Sequence, residues 1–345
     1  LDGRLMATKK VTSLEVAKLA GVSQSAVSRV FTPGASASKK TEEKVRKASK
    51  ELGYRPNILA RSLITGRSRI IGLVVAHLDN YFYPEALELL SNALQKKGYH
   101  VLVFMVAKTA GSIDEVVDEI LDYQVDGIIL ASVAMSSNLA SRCTSAGVPV
   151  ILFNRSQDDD TFSAITSDNI NGGKKIARFL VAGGHKRIGY IAGWEGASTQ
   201  HDRETGFVEE LKQQGMSLYA REVGNFNVDE ARQAAHKMFS GGKIPDAVFV
   251  ASDHMAFAVM DVLRFEIGLK IPEQVSVVGY DDVPVSSWPA YDLTTIRQPA
   301  NRMVAETVSM ILESIENKKT KPRQIKIDGP LIMRGSTRIS TKLSK

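Results

Sequence analysis

Residues 11–31 read VTSLEVAKLAGVSQSAVSRVF, and this stretch decides how the chain begins. Its apolar residues Leu14, Val16, Ala17, Leu19, Ala20, Val22, Val27 and Val30 suit two short helices packed on each other. Thr12, with Glu15 three residues on, forms a capping box that starts the first helix at Ser13. Gly21 ends it in a left-handed turn, and Ser23 caps a second helix that runs to about Val30. Two helices joined by about three residues that include a glycine make a helix-turn-helix. The second helix of that motif enters the major groove of DNA, its N-terminal residues at base edges.

The open face of the second helix has the matching chemistry. The Gln24 amide can read a base edge, and Arg29 can pair with guanine or a phosphate. Ser23 and Ser25 can bond to phosphates or bases, while the small Ala26 and Ser28 allow close approach. Thr41 is the expected cap of a third helix, TEEKVRKASKEL, with acids early and bases late as the helix dipole prefers. Its Val45, Ala48 and Leu52 close a three-helix core, and Gly53 stops it. Pro56 then opens a short helix in NILARSLITG that carries Ile58, Leu59 and Leu63. Such apolar side chains on a basic linker can wedge between base steps in the minor groove, or pack on the body or on a second chain.

Charge separates this head from the rest. Residues 1–69 hold 15 Lys/Arg and 5 Asp/Glu, whereas the remainder of the 345 holds 29 and 33. A basic head on a mildly acidic body points to a polyanion as partner of the head alone. At 43% hydrophobic and 24% charged residues the composition is that of a globular protein with ample core. No apolar run reaches membrane-spanning length, none follows the opening LDGRLM, and Cys143 is the single cysteine. No membrane span, secretory signal or disulfide framework is therefore expected, and a reducing cytoplasm fits.

From Ser68 onward, apolar strand-like runs alternate with helical stretches. The runs are RIIGLVVA (69–76), HVLVFMVA (100–107), DGIILAS (126–132), VPVILFN (148–154), RIGYIAG (187–193), DAVFVAS (246–252) and VSVVGYD (275–281). This is the signature of parallel sheets covered on both faces. DGIILAS is echoed by DAVFVAS, RIIGLVV by RIGYIAG, and VPVILFNR by VSVVGYDD, in order. Two similar lobes follow, and open parallel sheets bind ligands at the carboxyl ends of their strands. That rule nominates Asn80, Phe82 and Tyr83 after the first run, then Asn154 and Arg155, a loop ending in Asp202 and Arg203, Ser252 with Asp253, and Asp281 with Asp282. Phe226 and Gln298 lie on later connections. Arginines and carboxylates for paired hydroxyls, with aromatic faces for a ring, suit a sugar-like ligand; some of these residues can equally be loop polars or ion pairs.

Catalytic and metal-site patterns are missing. The six histidines show no HExxH spacing, and GxSxG and GxxxxGK[ST] do not occur. His201 and Asp202 without a nucleophile make a weak acid/base pair. No enzyme activity, metal or cofactor is expected.

The segments VTSLEVAKLAGVSQSAVSRV and KTEEKVRKASKELGYRPNILARSL together resemble the head of the lactose/galactose repressor family. The resemblance implies that paired hinge helices insert Leu63 into DNA with Ala60 beside it. It places Gln24 and Ser25 among the base readers, Arg29 at the family's common arginine, and Thr12, Ser23, Ser28 and Asn57 in the DNA-contacting set. The body is similar, nearly to Arg338, to the periplasmic pentose and hexose binding proteins. That likeness implies an effector held by Asn80, Phe82, Tyr83, Asn154, Arg155, Arg203, Ser252, Asp281 and Gln298, with Phe226 stacking on it. Asn154 stands where Asp is commoner and Ser252 where Asn is commoner. A modified sugar, a sugar phosphate held by Arg155 and Arg203, or a purine thus stands beside a plain pentose or hexose.

The implied architecture is an all-α helix-turn-helix head (7–55), a hinge helix and linker (56–67) and a two-lobed α/β core of doubly wound parallel sheets (68–338). The first lobe takes about 68–166 plus 296–327, the second about 167–295 plus 328–338. The implied protein is a cytoplasmic, homodimeric transcriptional regulator, a repressor on pseudo-palindromic double-stranded operator DNA, controlled by a small molecule between the lobes. A sugar-binding transport or chemotaxis protein without a DNA role is the alternative, which the basic head opposes.

Overall fold

A computed structural model describes residues 11–32, 35–55, 66–76, 78–106, 112–133, 137–157, 161–317 and 320–338. The chain divides into two compact units, Leu1–Ser68 and Arg69–Lys345.

In the first unit α1 spans Ser13–Ala20, α2 Gln24–Val30 and α3 Lys39–Leu52. The expected capping box is present: the Thr12 hydroxyl accepts from Glu15 N–H, and the Glu15 carboxylate accepts from Thr12 N–H at 2.7 Å. Gly21 takes φ +64°, where a side chain would be strained, and turns the chain into α2. Val16, Val27 and Val45 are fully buried and, with Ala17, Ala20 and Ala48, form the core; each valine contributes about 1.5–3 kcal/mol.

Two expectations for the head are corrected. Leu14 and Leu19, assigned above to the helix interface, are 50% and 47% exposed. They sit roughly 110° to either side of the stripe made by Val16, Ala17 and Ala20, so a single stripe of α1 closes the core. The third helix begins at Lys39, capped by Ser38 instead of Thr41; the Ser38 hydroxyl lies 3.2 Å from Thr41 N–H and accepts from it. Both residues are competent caps, and the earlier one adds a turn. The proposed hinge helix, with Asn57, Ala60 and Leu63, lies outside the described residues.

The second unit holds two six-stranded sheets. The first contains β1 (Ile70–Val75), β2 (His100–Met105), β3 (Gly127–Ala131), β4 (Val150–Phe153), β5 (Ser163–Ser167) and β11 (Gln324–Ile327), ordered β11-β5-β4-β3-β1-β2 and parallel throughout. The second contains β6 (Ile188–Ala192), β7 (Ala220–Val223), β8 (Ala247–Val250), β9 (Ser276–Asp281), β10 (Thr294–Arg297) and β12 (Leu331–Ile332), ordered β12-β10-β9-β8-β6-β7. Only β12 runs antiparallel. The three sequence echoes fall on β1/β6, β3/β8 and β4/β9, which hold equivalent places in the two sheets.

The helices of this unit are α4 (Phe82–Lys96), α5 (Ser112–Asp122), α6 (Ser137–Ala146), α7 (Asn169–Ala182), α8 (Ser198–Gln213), α9 (Val228–Phe239), α10 (Asp253–Asp261) and α11 (Ala300–Glu316). The chain passes between the sheets after β5, after β10 and after β11. The second passage follows Arg297, so the boundary expected at 296 falls inside β10. Arg203, expected on a loop, lies in the second turn of α8. Helices α7 and α8 cross closely enough that a Cβ on Gly206 would sit 2.0 Å from the Ile170 carbonyl oxygen, and one on Gly173 2.3 Å from that of Arg203. No helix among the described residues is long and apolar enough to cross a membrane.

Candidate functional site

On the head, Thr12, Ser23, Gln24, Ser25, Ser28 and Arg29 are all exposed, at the start of α1 and along α2. The hydroxyls are partly occupied: Ser23 accepts from Ala26 N–H at 3.2 Å and shares a 2.9 Å hydrogen bond with Ser25. The Gln24 amide donates to the Ser13 hydroxyl at 2.9 Å, leaving its carbonyl oxygen outward-facing chemistry for a base. Arg29 is exposed in the last turn of α2 and forms no ion pair with another described residue.

In the core, the expected effector residues lie beyond the carboxyl ends of β1 (Asn80, Phe82, Tyr83), β4 (Asn154, Arg155), β7 (Phe226), β8 (Ser252), β9 (Asp281) and β10 (Gln298), with Arg203 in α8. The backbone there is unusual: Ser132, Asn154, Phe226 and Asp281 all have positive φ, at 61°, 55°, 52° and 133°. Non-glycine residues pay for such geometry, and it concentrates at functional sites.

Asp281, at the end of β9 and 3% exposed, is the hub. It accepts from the Gln298 amide at 2.7 Å and from the Asn80 amide of the other lobe at 3.2 Å, and lies 3.6 Å from the Arg203 guanidinium. Burial pushes its carboxyl above the usual aspartate range, against the pull of Arg203. Arg203 is held from three further sides: by the Asn169 side chain at 2.9 Å, the Ala251 carbonyl at 2.5 Å, and the Tyr280 ring, 3.7 Å below the guanidinium.

Across the cleft, the Asn80 side-chain oxygen accepts from Phe82 N–H at 3.0 Å and starts α4. Phe82 stacks on Phe153 and meets Tyr83 edge-on. The Tyr83 hydroxyl accepts from the Asn154 amide at 3.2 Å, and burial raises its pKa. Arg155 reaches the Ser132 carbonyl at 3.1 Å, with the Trp194 ring of the other lobe 5.7 Å from its guanidinium. Phe226 lays its ring where a Cβ on Gly193 would stand, and its carbonyl is 3.1 Å from His254 Nε2. A cavity of 280 Å³ opens beside Phe82, Asp281 and Gln298, with Glu85, Asp282 and Arg297 also lining it.

Several buried polar atoms here have no partner: Asn154 Oδ1, Arg155 Nε and Nη1, Ser252 Oγ, His254 Nδ1 and Gln298 Oε1. Native interiors rarely leave such atoms unsatisfied, and their convergence marks a site for a polar ligand. Two other carboxylates nominated at strand ends, Asp253 and Asp282, have structural partners. Asp253 accepts from Val283 N–H, Ser286 and Thr295, while Asp282 pairs with Arg297 and Arg334. Asp202 pairs with Lys326 at 3.6 Å.

Sequence reasoning missed Asn169, Ser132, Trp194 and His254. Trp194 and Ser132 end recognised strand runs, and the carboxyl-end rule reaches them. Asn169 follows β5, whose SAITS sequence lacks the apolar continuity that marked the others.

A helix-turn-helix head followed in the chain by a two-lobed core with a polar cleft defines a ligand-responsive DNA-binding regulator. Comparison with known proteins agrees. Residues 13–57 match the model of bacterial regulatory proteins of the lacI family, and residues 177–337 match the periplasmic binding protein-like domain. The chain is 30% identical to the HTH-type transcriptional repressor PurR of Vibrio vulnificus (strain CMCP6), over 95% of this chain and 98% of that one. It is 32% identical to the HTH-type transcriptional regulator CelR of Thermobifida fusca, over 93% and 96%. A lac repressor dimer bound to operator and the anti-inducer ONPF has TM-score 0.86 at 29% identity, covering 95% of this chain and 99% of that one. A CelR–cellobiose complex has TM-score 0.73 at 30% identity, covering 95% and 100%. The chain belongs to the lacI family of transcriptional regulators, with a DNA-binding head and a ligand-binding core.

Proposed function

We propose that this regulator is a repressor that grips pseudo-palindromic operator DNA as a homodimer, and that a sugar or sugar derivative bound between the lobes changes that grip. The convergence of unpartnered buried polar atoms at the strand ends carries the effector half of this reading. On the DNA, Gln24, Ser25 and Arg29 read bases while Thr12, Ser23 and Ser28 hold the backbone; Asn57, Ala60 and Leu63 act in the minor groove. In the cleft, Asn80, Phe82, Tyr83, Asn154, Arg155, Arg203, Phe226, Ser252, Asp281 and Gln298 enclose the effector. The domains are those expected above: head 7–55, hinge 56–67 and core 68–338.

Among the described residues, the contacts that join the lobes across the cleft include Asn80 to Asp281, Ser156 N–H to Ser198 Oγ at 3.0 Å, and Lys326 to Asp202. A ligand that touches both lobes favours the closed arrangement by its differential affinity for closed over open, and by nothing else. In a dimer that bias passes to the hinge segments and so to the spacing of the two heads. The relatives are regulators and the cleft holds no acid–base–nucleophile set among the described residues; we read the protein as a non-enzymatic, cytoplasmic regulator that needs no cofactor or metal. The test is a melting screen of the full chain against pentoses, hexoses, sugar acids, sugar phosphates and purines, since a ligand of the native state raises Tm. A shift lost in Arg203→Ala supports the cleft; an equal shift in that variant places the ligand elsewhere.

A further inference from the structure

We infer that the effector carries a negative charge, a carboxylate or a phosphate, and that this charge rests on Arg155. The inference builds on the effector-cleft reading above. Arg155 is 5% exposed. One of its three nitrogens is served, by the Ser132 carbonyl at 3.1 Å and hydroxyl at 3.4 Å. Nε and Nη1 are buried with no partner, and the Trp194 ring covers the guanidinium at 5.7 Å.

No described carboxylate pairs with Arg155. The other buried cleft arginine, Arg203, faces Asp281, and the part-buried Arg334 pairs with Asp282. Arg203 is a like charge to Arg155 and acts on it unfavourably. The buried cleft carboxylates, Asp281 and Asp253, are already engaged. Asp281 serves Arg203, Asn80 and Gln298, and Asp253 serves Val283 N–H, Ser286 and Thr295. The residue beside Arg155 is the neutral Asn154, itself 3% exposed. A buried charge ordinarily has a counter-ion, because desolvation without one is costly. The missing counter-ion is supplied by the ligand. Asn154 Oδ1, Gln298 Oε1 and Ser252 Oγ are also buried without partners, and on this proposal they take hydroxyl or N–H donors from the body of the same molecule. A neutral sugar satisfies these acceptors and leaves the guanidinium unbalanced.

Matched pairs test this by calorimetry and melting of the full chain: D-glucose against D-gluconate and D-glucose 6-phosphate, D-galactose against D-galactonate, and D-ribose against D-ribose 5-phosphate. The expected result is at least ~10-fold tighter binding of one charged form than of its neutral parent, as a charge-assisted contact requires. The acid and phosphate arms say which anion the site takes. Arg155→Gln should bring the pair to within about threefold, and Asn154→Asp, which sets a carboxylate beside the intact guanidinium, should do the same. Melting of each ligand-free variant checks its fold, and either variant alone decides the matter. A neutral sugar bound as tightly as its charged partner overturns the charge inference and leaves the cleft reading standing. A panel in which no compound binds overturns both.

Discussion

Replacing Asp281 by Asn tests whether the hub of the cleft is an ionised acceptor. The carboxylate takes the Gln298 amide at 2.7 Å on one oxygen, the Asn80 amide at 3.2 Å on the other, and faces Arg203 at 3.6 Å. At that separation, with an effective dielectric of about 20, the ion pair is worth roughly 4–5 kcal/mol before desolvation. Asparagine keeps the shape but turns one acceptor into a donor, which then opposes Asn80 or Gln298. Arg203 retains Asn169 and the Ala251 carbonyl, so part of the loss is recovered. A net cost of about 2–4 kcal/mol follows, in the range for breaking one side of a buried, hydrogen-bonded pair. For a core of this size that lowers Tm by roughly 5–10 °C. The assay is thermal unfolding of wild type and Asp281→Asn at neutral pH without ligand. A Tm unchanged within error would refute the reasoning, because it would mean the buried aspartate carries its proton and already behaves as an amide does.

Three further outcomes follow. Gln24→Ala should relax operator discrimination at one base position by about 1–3 kcal/mol and leave effector binding intact, as anisotropy titrations against single-base operator variants would show. Gly206→Ala places a methyl 2.0 Å from the Ile170 carbonyl, so α8 must move and Arg203 with it; effector affinity measured by calorimetry should fall at least ~10-fold, a shift of about 1.4 kcal/mol. Burial and neighbouring Asp281 hold the Asp253 carboxyl above the aspartate range. The folded state therefore keeps a proton that the unfolded chain loses, and the contribution of Asp253 to stability is greatest below about pH 4 and is lost as pH rises from there through about 7. Asp253→Asn should flatten that part of the curve of Tm against pH.

The sequence was most legible where spacing is dictated by geometry. The Thr12–Glu15 box and Gly21 fixed α1 and the turn, since capping and a left-handed φ each admit few residue types. Continuous apolar runs marked the buried parallel strands β1, β3, β4, β6, β8 and β9, and the internal echoes gave the two-lobed plan. The strands β5, β7, β10, β11 and β12 escaped that reading. SAITS and TTIR are polar though buried, and AREV, QIKI and LI sit at sheet edges, so none shows a continuous apolar signal. The carboxyl-end rule located the cleft residues without contacts. What it could not supply was their state. That Asp281 is spent on Arg203 and two amides, while Arg155 has no counter-ion, depends on pairings between residues up to 201 positions apart. Leu14 and Leu19 show the opposite limit: on a helix of eight residues, apolar identity alone does not say which side faces in.

The central claim is that occupancy of the cleft controls the head. It is tested most directly by titrating the full chain against operator DNA selected from a random pool, with and without a saturating concentration of the compound that most raises Tm. The operator Kd should change at least ~5-fold, the low end of a coupling energy between two linked sites. Ligand affinity should change reciprocally when operator is present. Identical operator affinity in the presence and absence of a ligand shown to occupy the cleft would contradict the claim.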